Sequence, residues 1–195
     1  RGEVEILSAN DRRRVHLLTE HVGAVSALAF ARDGKYLVAA AGEPGLIGEA
    51  TVWSVSDGKV AHKFRGHRDA LYAAKLSPDG SILATGSYDQ KAILWDVVTG
   101  KPRHTIDGHS GAVFDLDFSP DGKLLATASA DRTVKLWSVS TGERLDTFGQ
   151  PLKDVYCVAF SPDGKQIAAG GVDRRVRVWQ ITAGGREGSN PLVFS

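Results

Sequence analysis

Between residues 113 and 148 the chain alternates short apolar runs with tight-turn residues: VFDLDF, the turn SPDG, LLATAS, the turn ADRT, VKLWSV, the turn STGE, then RLDTF. Each run has the length of a strand, and none offers the roughly ten residues of period 3.6 that a helix needs. Proline in SPDG presets φ for the turn and Gly122 accepts a positive one, so successive runs read as hairpins. The prediction for this stretch is a four-stranded antiparallel meander.

The same pattern returns along the chain. Trp53, Trp95, Trp137 and Trp179 are each 42 residues apart and are all the tryptophans present. The Asp-Gly turns at Asp33-Gly34, Asp79-Gly80, Asp121-Gly122 and Asp163-Gly164 keep that phase, apart from four extra residues before Trp53. The insertion falls within GEPGLIGEA and is expected to be a surface excursion. A fixed period of this length marks a repeat architecture. In the first run of one unit, VYCVAF, Tyr156, Val158 and Phe160 are bulky while Val155, Cys157 and Ala159 are small and still largely apolar. SALAF and YAAKL repeat the contrast. A sheet with two apolar faces must be covered on both, and like sheets achieve this by stacking a bulky face on a neighbour's small one.

Composition adds mainly exclusions. With 195 residues and 42% apolar side chains the chain can build a core. Twenty-four Lys and Arg against 23 Asp and Glu leave a net charge of +1, so no global field draws nucleic acid, and no run is long enough to insert in a membrane. Cys157 stands alone, which removes an internal disulfide framework and a Cys-based metal cluster, and no cofactor or metal is expected. The sequence starts at Arg1 and holds no Met, so it is expected to be a segment of a longer chain.

The pairs Gly66-His67 and Gly108-His109, the SPDG turns, the segments ATGSYD and ATASAD, and LWD ending at Asp96 together resemble the WD-repeat β-propeller family. The resemblance covers nearly the whole chain and implies an all-β propeller of four-stranded antiparallel blades. Residues 2–20 align without gaps on residues 48–66, with Leu7 where Trp53 stands. Residues 1–20 are therefore expected to form half a blade, followed by blades at 21–66, 67–108, 109–150 and 151–195. The last blade would be completed by NPLVFS after the longer connection TAGGREGS. Such an incomplete ring implies that the remaining blades, from the same chain or a neighbouring subunit, are among its partners. The SPDG style is also similar to bacterial WD-repeat regions, some of them joined to c-type cytochrome domains in exported proteins. That likeness leans towards a periplasmic or exported location, with the cytoplasm as the alternative, although no C-x-x-C-H haem signature occurs.

Several side chains invite a chemical reading. His67, Ser87 and Asp89 carry the types of a nucleophilic triad. But His109, Ser129 and Asp131 repeat the set one period later, and one active site per blade is not expected. The resemblance implies instead a buried network in which Asp holds His, His reaches Ser and Ser bonds the indole of Trp95 or Trp137. The fourth unit departs from it, with Pro151 for His and Gly171 for Ser, and the first has His21 without a turn aspartate; both are expected to be softer. His16, His62 and His104 recur on the outermost strand, where the repeat spreads them around a rim too widely to share a metal.

Strand direction places the loops before the first strand and between the second and third on one face, called the top here. At the entry to the first strand stand Ser26, Tyr72, Phe114 and Tyr156, and just before the turn aspartates stand Tyr88, Ala130 and Val172. The resemblance implies that such positions contact ligand peptides, and aromatic residues suit binding surfaces because they bury much area at small entropy cost. The competing reading puts Phe114 and Tyr156 in the core. The function expected is a non-catalytic scaffold binding a protein or peptide through the top face, the alternatives being a module of a larger exported enzyme or redox protein, or an architectural subunit.

Overall fold

The computed structural model describes residues 3–149, 153–182 and 185–194, with side chains at 186–189 left aside. All regular structure among them is strand. β1 (Val4–Leu7) and β2 (Arg14–Leu18) form a two-stranded sheet. Four four-stranded antiparallel sheets follow. The first holds β3 (Ala24–Phe30), β4 (Tyr36–Glu43), β5 (Ile47–Ser54) and β6 (Val60–His67). The second holds β7 (Leu71–Leu76), β8 (Ile82–Ser87), β9 (Lys91–Asp96) and β10 (Pro102–Asp107). The third holds β11 (Val113–Phe118), β12 (Leu124–Ser129), β13 (Val134–Ser138) and β14 (Arg144–Phe148). The fourth holds β15 (Val155–Phe160), β16 (Gln166–Gly171), β17 (Val176–Thr182) and β18 (Gly185–Phe194). In each, neighbours in sequence are neighbours in the sheet, as the hairpin pattern predicts.

The SPDG turns show how sequence fixes these hairpins. Gly80, Gly122 and Gly164 take φ near +72°, a conformation that only glycine adopts without strain. The serine of each turn donates to the aspartate two residues on, at 2.5, 2.6 and 2.6 Å for Ser77, Ser119 and Ser161. The same hydroxyl accepts the N–H that opens the next strand, at Ile82, Leu124 and Gln166.

Consecutive sheets stack through apolar layers. Ala73, Ala84 and Ala92 of the second full sheet receive Leu116, Phe118, Leu125 and Trp137 of the third, and Ala126, Ala128 and Leu136 of the third receive Val158, Ile167 and Trp179 of the fourth. Small residues on one face thus seat bulky ones from the next. Each indole buries roughly 150–250 Å², worth about 4–6 kcal/mol of gross stabilisation. The half sheet joins the stack through Val4, Ile6 and Leu18 against Leu37, Ala39 and Trp53.

Two connections are more ordered than their sequences suggest. GEPGLIGEA reaches the surface, with residues 43–46 exposed, and does so as an extension of the β4–β5 hairpin, with Glu43 opposite Ile47 and Gly42 opposite Gly48. Its tip is docked, because the Gly45 N–H donates to Asp69 at 2.7 Å. TAGGREGS is mostly strand, since β17 runs on to Thr182 and β18 starts at Gly185. In both places backbone amides that a free loop would leave to water are instead paired in the ladder.

Candidate interaction surface

The entry to each first strand carries a bulge. Register shifts occur between Val25 and Ala27, Leu71 and Ala73, Val113 and Asp115, and Val155 and Cys157. The skipped residues are Ser26, Tyr72, Phe114 and Tyr156, the very positions singled out on the top face. A bulge re-aims the side chain of its extra residue and breaks the two-residue alternation. So Val155 and Val158 are both buried while Tyr156 is 52% exposed, and the simple split of VYCVAF into bulky and small faces fails. Phe114 is half-buried and lies in the same exposed row, outside the apolar layers, so the core reading of this pair is not met.

The re-aimed rings meet. Tyr88 stands 6.2 Å from Tyr72, Tyr72 5.3 Å from Phe114, and Phe114 5.1 Å from Tyr156, the last two edge to face. The residues before the turn aspartates are tied to the neighbouring entry: the N–H groups of Tyr88, Ala130 and Val172 donate to the carbonyls of Ala70, Ala112 and Asp154. Tyr88 and Val172 are exposed and Ala130 is half-buried. Ser26 is set apart from the row, because its hydroxyl donates to the carbonyls of Ala40 and Leu71.

Below the row, two side chains of β11 cap the free edge of β15. Asp115 and Asp117 accept the Val158 and Phe160 N–H groups at 3.0 and 2.8 Å, and Lys75 reaches Asp117 at 3.0 Å. Burial pushes the Asp115 carboxyl above its usual range despite that N–H. Such caps keep an edge from recruiting a foreign strand. The sequence reading missed these residues, since they occur in single units and leave no periodic signal.

The polar network is present in the second and third full sheets with one correction: the hydroxyl at its centre belongs to threonine. His67 Nδ1 lies 2.9 Å from Asp89, His67 Nε2 lies 2.9 Å from Thr85 Oγ1, and the Trp95 indole donates to Thr85 at 2.9 Å. His109, Asp131, Thr127 and Trp137 repeat this at 2.7, 2.7 and 2.9 Å. The pleat puts Thr85, Ser87 and the indole on one face of the sheet, but Ser87 sits at the strand's end, where its hydroxyl meets the Asp69 and Ala70 carbonyls instead. Ser87 donates to the Asp69 and Ala70 carbonyls and Ser129 to that of Gly111, while each accepts the N–H of the following aspartate. The signal was available: Thr85 and Thr127 are 42 residues apart, whereas Ala39 and Ala169 stand at the equivalent places in the other two sheets.

The partners of His109 suit a neutral ring, with the Trp137 indole N–H donating to Thr127, the Thr127 O–H to Nε2, and Nδ1–H to the Asp131 carboxylate. Burial lowers the His109 pKa, outweighing the pull of Asp131. Burial works against the Asp131 carboxylate, but His109, Thr133 and the Ser110 N–H hold it well below its usual range. No serine here is poised for attack. Ser87 and Ser129 do not touch the imidazoles, and Thr85 and Thr127 are fully buried.

The fourth sheet is wired differently. Pro151 lies outside the described residues. Ala169 and Gly171 provide no hydroxyl, and the buried Trp179 Nε1 has no partner among the described residues. Asp173 is kept, but it pairs with buried Arg177 at 2.7 Å. His16 and His104 lie against Gly58 and Gly142 of the next sheet, where a Cβ would come within 2.7 and 2.8 Å of the rings. Among the described residues no group of three or more His, Cys, Asp and Glu could hold a metal ion. A concavity of about 810 Å³ lies on the opposite face among the SPDG turns, and its Asp79 and Asp121 are engaged by serine hydroxyls.

Comparison with known proteins agrees with this architecture. The family described as "WD domain, G-beta repeat" matches residues 12–47, 58–96, 100–138 and 142–180. Intraflagellar transport protein 122 homologs are similar over a shorter stretch: 36% identity over 66 residues in Xenopus tropicalis and 33% over 69 residues in Homo sapiens. These matches span 34% and 35% of this chain and 5% of the relatives' length. Four matched repeats, on sheets stacked small face to bulky face, place this chain in the WD domain, G-beta repeat, family.

Proposed function

We propose that the chain is a non-catalytic scaffold that captures a protein or peptide on the row Tyr88, Tyr72, Phe114 and Tyr156. The observation that carries this is the bulge at each strand entry. It lifts three consecutive aromatic residues out of the core at the same height, where packing alone would bury them. Aromatic rings held rigidly at a surface are the usual anchors of protein recognition. Selection of a phage-displayed random peptide library on the protein should enrich sequences that no longer bind after Tyr72→Ala or Tyr156→Ala, with the thermal midpoint unmoved. Loss of binding together with a matching loss of stability would return the row to a packing role.

A second partner is favoured by β3. Leu28 and Phe30 are 52% and 59% exposed, while their counterparts Leu116 and Phe118 are buried against the inner strands of the preceding sheet. Two strands laid along β1 would cover them, and the natural source is another blade of the same type. With Cys157→Ser as background, Phe30→Cys should react with maleimide in this chain and be protected in the protein isolated from its native source. Equal labelling in both would refute that completion.

A further inference from the structure

The top face carries an asymmetry of charge around the aromatic row. Most of its carboxylates are held by partners, Asp89 by His67, Asp131 by His109, Asp173 by Arg177, and Asp107 by Lys91 at 2.6 Å, while half-buried Asp154 has no side-chain partner among the described residues. Asp69 accepts the Gly45 and Ala70 N–H groups. The cations are not. Arg68, Arg132, Lys153, Arg174 and Arg175 are exposed, and among the described residues none of them has an ion-pair partner within 4.0 Å. Lys153, Arg174 and Arg175 gather with Val172 around one small depression.

Arg132 and Arg174 occupy equivalent places in the turns after β12 and β16, with φ of 69° and 62°, and Gln90 takes the same conformation after β8, with φ of 73°. This left-handed region is disfavoured for a side-chain-bearing residue, whereas glycine enters it freely. Among the described residues neither arginine side chain hydrogen-bonds to its turn, and each places an exposed guanidinium on the top face.

We propose that this surface takes an acidic peptide, its apolar or aromatic side chains lying on Tyr72, Phe114 and Tyr156 and its carboxylates reaching Arg132, Arg174 and Arg175. Guanidinium groups pair with carboxylates through two parallel hydrogen bonds, so the cations supply orientation while the rings supply buried area. The proposal rests on the top-face reading above and adds the sign of the partner's charge.

The test uses three labelled peptides of equal length, alternating Glu-Tyr, Lys-Tyr and Glu-Ala, with an oligothymidine as a fourth probe. The Glu-Tyr peptide should bind best, more weakly as salt is raised, and Arg132→Gly with Arg174→Gly should weaken it about tenfold. Because glycine relaxes both turns, that double variant should keep or raise the thermal midpoint, which separates binding from folding. Equal binding of Glu-Tyr and Lys-Tyr, both weakened by Tyr72→Ala, overturns the acidic preference and leaves the top-face reading standing. Peptide binding indifferent to Tyr72→Ala removes both readings. Tighter binding of oligothymidine than of Glu-Tyr assigns the surface to single-stranded nucleic acid and overturns the proposal.

Discussion

The second and third full sheets and the fourth solve one problem in two ways. All three bury a tryptophan against the preceding sheet, and all three keep an aspartate in the turn between second and third strands. In the second and third, a threonine and a histidine carry hydrogen bonds without a break from indole to carboxylate. In the fourth, Ala169 removes the threonine, the indole N–H has no partner among the described residues, and Arg177 takes over the aspartate. The wedge shape therefore comes from apolar packing, which survives loss of the relay. The relay removes a desolvation penalty and anchors the top loop, and a buried ion pair can do the second task without the first.

The strongest way to break this comparison is to remove Arg177. Arg177→Ala leaves Asp173 in a largely dry site, and a cost of about 3–5 kcal/mol is expected from chemical denaturation. A loss below about 1 kcal/mol, the range of exposed pairs, would mean that the pair does not stand in for the relay.

Thr127→Val tests the relay itself. It orphans the Trp137 N–H and the acceptor nitrogen of His109, so about 2–4 kcal/mol should be lost. Ser129→Ala removes only a loop contact and should cost about 1 kcal/mol. If the two costs came out reversed, serine would be the centre after all.

Acid sharpens the comparison further. Folded, His109 stays neutral and titrates below its ordinary value near 6.5, while the unfolded chain takes up a proton at about that pH. The relay's contribution is thus complete above that pH and falls as the solution becomes more acidic. Asp131, held below its ordinary range, adds a loss of the same sign at still lower pH. Urea midpoints measured from about pH 7.5 down to about pH 5.5 should drop, and His109→Gln should flatten the curve. An unchanged slope in the variant would clear His109 of that role.

The smallest effect separates the two surfaces of the first strands. Tyr72→Ala should change stability by less than about 0.5 kcal/mol, since the ring is already outside the apolar layers. Leu116→Ala, on the same kind of strand but fully buried, should cost about 2–5 kcal/mol.

Much of this was readable along the chain, for a physical reason. Tryptophan spacing, SPDG turns and Asp-Gly pairs act locally, and a meander joins neighbours in sequence, so the four-stranded sheets follow directly. The turn aspartates and the histidines were also visible, because they repeat. The threonine was passed over in favour of a serine of matching period: two hydroxyls two residues apart on one strand point along the same face, and only packing decides which reaches the indole.

The sequence by itself determined the period, the strands, the hairpin turns and the positions that would crowd at the top. Those depend on backbone preferences and on apolar patterning within a few residues. Tertiary structure decided which face each side chain takes at the strand entries. A bulge shifts the pairing by one residue, and whether it forms depends on the neighbouring strand's register. That single shift turns Phe114 and Tyr156 from core candidates into part of a surface row with Tyr72, and only the folded chain shows that Arg132, Arg174 and Arg175 have no ion-pair partner among the described residues.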